Sequence, residues 1–110
     1  MNPPAAQNQS AKKPVVETPA QVKVDPKTGK ELLHVKLYSP FQTYYNQDAY
    51  SLSGANATGA FDILPRHHNF MTLLEEGELT IRAPEGEKIF KISRAVMHIK
   101  ANQVTIFLDI

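Results

Sequence analysis

The sequence predicts an all-β fold, two packed antiparallel sheets preceded by an N-terminal tail. Three observations predict it. Apolar and polar residues alternate with period two in several separate stretches after Glu31. Turn-forming residues stand between those stretches, and no stretch has the apolar spacing of a long helix. Strands with one wet and one buried face read this way, and several short ones with regular turns imply a sandwich.

Residues 1–30 are expected to form the tail. Five of the eight prolines lie there and no aromatic residue does. Such a segment buries too little apolar surface to offset an ordering cost of roughly 1–2 kcal/mol per residue. Val15-Val16, or Val22 with Val24, offer a short edge strand as the alternative. Thr28-Gly29-Lys30 lacks both the earlier glycine and the following Ser or Thr of a phosphate loop, since Glu31 stands next.

The folded part is expected to cover residues 31–110. Leu33, Val35 and Leu37 alternate with His34, Lys36 and Tyr38. Leu79 and Ile81 alternate with Thr80 and Arg82, and Met97 and Ile99 with His98 and Lys100. Val104, Ile106, Leu108 and Ile110 alternate with Gln103, Thr105, Phe107 and Asp109. Pro84-Glu85-Gly86 and Ala101-Asn102 are read as hairpin turns and Glu76-Gly77 as a bend. About eighty residues bury only ~60–65% of their unfolded surface, so modest stability is expected.

The run from Thr58 to Leu74 is the most informative. Gly59 permits a tight bend. Ile63-Leu64 is too short for a helix and stops at Pro65, which lacks a ladder donor and belongs at an edge or turn. A corner displaying His67 and His68 results, followed by Phe70-Met71-Thr72-Leu73-Leu74, read as a strand with a short helical turn as the alternative. Polar side chains on a rigid corner are commonly there to touch something.

Composition removes several classes. The absence of cysteine excludes disulfides and thiolate zinc sites. A net charge of +1 makes no case for nucleic acid. No apolar run approaches the roughly 20 residues that span a bilayer, and the N-terminus lacks signal- or transit-peptide features, so a soluble, cytoplasmic protein is expected. No nucleophile–base pair or ligand triad follows from spacing, so no catalytic residue, cofactor or metal is expected. Adjacent histidines in extended backbone point to opposite faces, which argues against His67 and His68 sharing a metal. His34 and His98 are expected on wet strand faces, and Glu75, Glu76 and Glu78 in a solvated bend. Tyr44, Tyr45 and Tyr50 fit either an interface or the sandwich edge.

From Leu33 to Asp109 the residues resemble the N-terminal β-sandwich of the epsilon subunit of bacterial F-type ATP synthase, the delta subunit of mitochondria. Leu33-His34-Val35-Lys36-Leu37-Tyr38-Ser39-Pro40 fits the family's opening strand L-H-V-x-L-x-S-P. Gly59, Ile63, Leu64, Pro65, His67, Met71 and Thr72 fit its loop G-E-L-G-I-L-P-G-H-A-P-L-L-T. Gly77, Leu79 and Ile81 match G-x-L-R-I, and Ser93, Ile99, Asn102, Val104, Thr105 and Ile106 match the closing pattern.

The resemblance implies a flattened sandwich of about ten strands. It implies a non-catalytic rotor subunit of a proton-translocating complex, linking the gamma subunit to the membrane c-ring on the cytoplasmic face of the bacterial membrane. Carried over by residue, it implies a gamma contact at Pro65, Arg66, His67, Phe70, Met71 and Thr72. It implies a c-ring contact at Thr58, Gly59, Ala60, Phe61 and Asp62. Ala60 replaces the family's loop glutamate, and Asp62 offers a negative charge two positions on. Arg66 stands where the family has glycine, so a left-handed backbone there would be strained. Arg94-Ala95 replaces paired glycines. The family's C-terminal helical hairpin has no counterpart among these residues, so its inhibitory and ATP-sensing behaviour is not expected of them. The rival reading is a stand-alone β-sandwich module that binds a peptide or carbohydrate.

Overall fold

A computed structural model describes residues 22–108. Val15-Val16 and the rest of residues 1–21 lie outside the described residues, as do Asp109 and Ile110. Ten strands follow one another: β1 (Lys23–Val24), β2 (Glu31–Tyr38), β3 (Thr43–Ala49), β4 (Ser51–Asn56), β5 (Gly59–Ile63), β6 (Phe70–Leu74), β7 (Gly77–Ala83), β8 (Gly86–Ile92), β9 (Ala95–Lys100) and β10 (Gln103–Leu108). They form two sheets. One runs β1-β2-β10-β9-β6, with β3 also paired to β2; the other runs β5-β4-β7-β8. All pairings are antiparallel except β2 with β10, which is parallel.

The alternating residues build the core between the sheets. Leu33, Val35 and Leu37 of β2, Met97 and Ile99 of β9, and Val104 and Ile106 of β10 are buried from one sheet. Leu52, Ile63, Leu79 and Ile81 are buried from the other. Phe70 to Leu74 is a strand, as read, because its pairing to β9 places Leu74 inside and Leu73 outside.

Short connections carry the chain from sheet to sheet. β3 passes to β4 through Tyr50 alone, whose N–H donates to Arg82 O at 2.7 Å. The β9–β10 hairpin turns at Ala101 (φ 52) and Asn102 (φ 64), the two left-handed residues of a type I′ turn.

Residues 22–30, assigned to the tail by composition, include ordered pairing. Lys23 and Val24 pair with Leu32 and Glu31, so the edge strand offered as the alternative forms at Val24 and Lys23, while Val22 lies outside it. Asp25 is buried and closes the following turn. Its carboxylate accepts from the Tyr50 hydroxyl and from the Lys27 N–H at 2.9 Å, and its carbonyl accepts from Gly29 N–H at 2.8 Å. Composition missed this because the partner, Tyr50, is supplied from far along the chain.

The Tyr50 hydroxyl first, and the Lys27 N–H second, hold the Asp25 carboxyl below its ordinary value. A depressed folded value gives stability that is present above the unfolded pKa and lost as pH falls through the folded one. The β1–β2 hairpin is therefore expected to open below about pH 4. Loss of the Lys23 and Val24 amide signals on acidification, while core signals persist, checks this.

Candidate functional site

The corner predicted from Pro65 joins two edge strands of opposite sheets, β5 and β6. Pro65 and Arg66 form the turn, and His67 N–H closes it onto Leu64 O at 3.2 Å. Arg66 has φ 70, the left-handed region that glycine would occupy without strain. Two interactions hold it there. Its N–H donates to Asn102 Oδ1 at 2.7 Å, and its guanidinium grips Glu31, Nε and Nη2 both lying 2.9 Å from carboxylate oxygens. The hydrogen bond from Arg66 keeps the Glu31 carboxyl below its ordinary value. The arginine thus fastens the corner to the start of β2. Arg66→Gly is expected to be more stable than Arg66→Ala, because alanine keeps the strained φ without the ion pair. Urea midpoints of the two variants check the order.

The histidines do not point to opposite faces. The backbone leaves the strand geometry at the turn, and the two rings stack with centroids 4.3 Å apart and planes 25° apart. This corrects the expectation from extended backbone. His67 Nδ1 lies 2.8 Å from His68 O, which as an acceptor requires that nitrogen to carry its proton. Phe70 packs beside both rings at 5.6 and 6.0 Å and meets Phe61 edge-on at 6.3 Å. Phe61 and Phe70 lean on the core and support the corner from inside. Among the described residues no group of three or more metal-ligating side chains is assembled.

Beyond the corner, period two divides β6. Thr72 faces Asn56, whose Nδ2 donates to its Oγ1 at 3.1 Å, while Met71 and Leu73 project outward, 65% and 66% exposed. Leu73 belongs to a row that sequence reading did not assemble. In register across four strands, Leu73 of β6 faces Val96 of β9, Val96 faces Phe107 of β10, and Phe107 faces Tyr38 of β2. Phe107 and Tyr38 meet edge-on at 5.1 Å. The adjoining row is Met71, His98, Thr105 and Lys36. The outer face of the six-stranded sheet therefore carries an apolar band ending at β6. The signal was present in part, since Val96 and Phe107 are apolar residues at outward positions of alternating strands.

The other group of sequence-predicted residues lies at the opposite end of β5. Ala57 and Thr58 turn the β4–β5 hairpin, where Asn56 Oδ1 accepts from Thr58 N–H at 2.9 Å and from Thr58 Oγ1 at 2.7 Å. Gly59 follows with φ 125, a conformation that favours glycine. Thr58, Gly59, Ala60 and Asp62 are exposed; Phe61 is half-buried. Ser53 Oγ donates to Asp62 Oδ1, and Arg82 Nη1 donates to Ser53 Oγ at 2.8 Å. Asp62 is thereby held on the outer face of the four-stranded sheet. The five residues of β5, at about 3.3 Å each, keep the hairpin tip and the histidine corner roughly 17 Å apart.

The remaining candidates separate. Tyr45 is a core residue, Tyr50 binds Asp25, and Tyr44 is partly exposed. His34 bridges Asp48 at 2.9 Å and Asn46 at 2.6 Å, and His98 is exposed. Glu75, Glu76 and Glu78 are exposed around the bend before β7. Ala95 is buried between β6 and β10, where the family's glycine would stand.

Residues 32–110 match the family model for the beta-sandwich domain of the ATP synthase Delta/Epsilon chain. The ATP synthase epsilon chain of Chloroflexus aurantiacus is 33% identical over 78 residues, covering 70% of this chain and 55% of that one. That of Ruthia magnifica is 26% identical over 77 residues, covering 70% and 56%. This chain thus spans a little over half the length of these curated relatives. Among solved structures, a Euglena gracilis mitochondrial ATP synthase chain superposes with a TM-score of 0.68 at 13% identity, covering 87% of this chain and 59% of that one. The likeness to it is one of fold.

Proposed function

This chain belongs to the ATP synthase delta/epsilon β-sandwich family, and we propose that it acts as a non-catalytic rotor subunit of a proton-translocating F-type ATP synthase, joining the gamma subunit to the membrane c-ring. The observation that carries this reading is the apolar band on the outer face of the six-stranded sheet, running to β6 beside the histidine corner. Apolar surface of this kind, flanked by His98 and Lys36 of the adjoining row, marks a protein-docking site. Gamma covers Met71, Leu73, Val96 and Phe107, with Pro65, Arg66 and His67 at the rim. Phe70 and Thr72 hold that surface from within.

The hairpin tip takes the second partner. Thr58, Gly59 and Ala60 offer backbone and small side chains, and Asp62 supplies the charge that Ala60 lacks. The c-ring meets this end, and the subunit lies at the cytoplasmic face of the bacterial membrane through the complex alone. Because tip and corner share β5, a load applied at one end reaches the other through one strand. That strand is packed against a core of close to crystalline density, which yields little under torque. The domain contributes shape and stiffness to the rotor.

The direct test is gel filtration of this chain with the matching gamma subunit at micromolar concentration. The two are expected to leave the column together. Separate elution of both proteins, each folded, would overturn the assignment.

A further inference from the structure

β8 is the end strand of the four-stranded sheet, paired only to β7 among the described residues. Its pairing runs unbroken from Gly86 to Ile92, without the register shift of the β2–β3 pair. Ile89, near its middle, is 54% exposed. A regular edge of this kind is open to a further strand.

The hairpin fixes which backbone groups face that edge. Pro84 and Glu85 form the turn, and Ala83 and Gly86 are the pair that closes it. The closing pair of a two-residue hairpin exchanges both backbone bonds. Bonded and non-bonded pairs alternate along an antiparallel ladder, so Lys88, Phe90 and Ile92 also direct their N–H and C=O groups to β7. Arg82 falls at a non-bonded pair, and its carbonyl accepts from the Tyr50 N–H at 2.7 Å, on the side away from β8. The backbone groups of Glu87, Ile89 and Lys91 therefore point to the free edge. Their side chains share the outer face of the sheet, because Leu79 and Ile81, opposite Phe90 and Lys88, are buried in the core.

In the antiparallel sense about Ile89, this strand is its own complement. Ile89 meets Ile89 of a second copy, Glu87 meets its Lys91, and Lys91 meets its Glu87. Every one of these residues has outward backbone groups, so hydrogen bonding and charge matching fall in the same register. Arg82 Nε already lies 3.5 Å from Glu87, and Glu78 is already the register partner of Lys91. Across the junction the row runs Arg82, Glu87, then Lys91 and Glu78 of the second copy, with the sign alternating throughout. On the inner side Lys88 stands opposite Phe90 of the second copy, which sets a cation against an aromatic ring. Other registers fail. Centring on Glu87, Lys88 or Lys91 opposes like charges, and centring on Phe90 sets Ile89 against Lys91. Charges along an edge deter a strand of unrelated sequence and admit one whose charges answer them.

We propose that β8 is a homodimerisation edge, where two copies of this chain pair antiparallel about Ile89 and join their four-stranded sheets into one. The edge belongs to the sheet opposite the one assigned to gamma, so the proposal stands apart from the rotor reading.

Sedimentation of the full chain from micromolar to millimolar concentration is expected to show monomers passing to dimers. As dimers form, the amides of Glu87, Ile89 and Lys91 should gain protection from exchange, while those of Lys88 and Phe90, already bonded to β7, should not change. Glu87→Lys and Lys91→Glu should each weaken pairing by roughly tenfold or more, because each sets like charges at both ends of the junction. Mixed together, the two variants have opposite charges at both ends and should form a heterodimer. That recovery separates loss of pairing from loss of fold. A chain that stays monomeric at millimolar concentration would overturn the proposal. So would a dimer whose new protection lies at β3 or β6, or a mixture of the two variants no more associated than either alone.

Discussion

A Leu73→Asp chain is expected to bind gamma about a hundredfold more weakly than the parent while folding normally. Leu73 is 66% exposed, so the change removes little from the core. It places a carboxylate in the row that joins Leu73, Val96, Phe107 and Tyr38. Burying an unpaired charge against a partner costs several kcal/mol, and about 3 kcal/mol corresponds to roughly a hundredfold in Kd. Met71→Asp should act in the same direction and less strongly, because its row also contains His98 and Lys36. Titration calorimetry with gamma measures the effect, with the urea midpoint as the control for folding. Unchanged affinity in a folded variant would place the docking surface elsewhere.

Leu37→Ala is expected to cost about 3 kcal/mol of stability, within the range of 2–5 kcal/mol for truncating a large apolar side chain in a core. Leu37 is fully buried and stands in register with Ile106 on one side and Tyr45 on the other. The methyl groups it would lose fill space that neither neighbouring strand can vacate without breaking its own pairing. A domain of this size has a total stability of only roughly 5–10 kcal/mol, so the variant should lose a large part of its margin. Equilibrium urea denaturation measures the loss. A loss below about 1 kcal/mol would mean that the sheets can close over the site.

Much of the fold was legible because strand burial is a local code. The alternation in residues 33–37, 79–81, 97–99 and 104–106 separates buried from wet positions without knowledge of any partner. Pro84-Glu85 and Ala101-Asn102 act locally as well, and each turns a hairpin where it was expected. The corner at Pro65 was legible for the same reason. Its internal geometry was not, since Arg66 tolerates φ 70 in a setting where distant Asn102 and Glu31 hold it. The stacking of His67 on His68 follows from that turn.

Residue order along the chain was enough to establish a two-sheet sandwich, its inward residues, its turns and its resemblance to a rotor-subunit family, because polarity at period two and turn chemistry act over a few residues. Folding in three dimensions was needed to bring Tyr38, Leu73, Val96 and Phe107 into one row and to tie Asp25 to Tyr50. These features depend on which strands become neighbours and in what register. That choice is made by the packing of the whole core, and no short stretch of side chains encodes it.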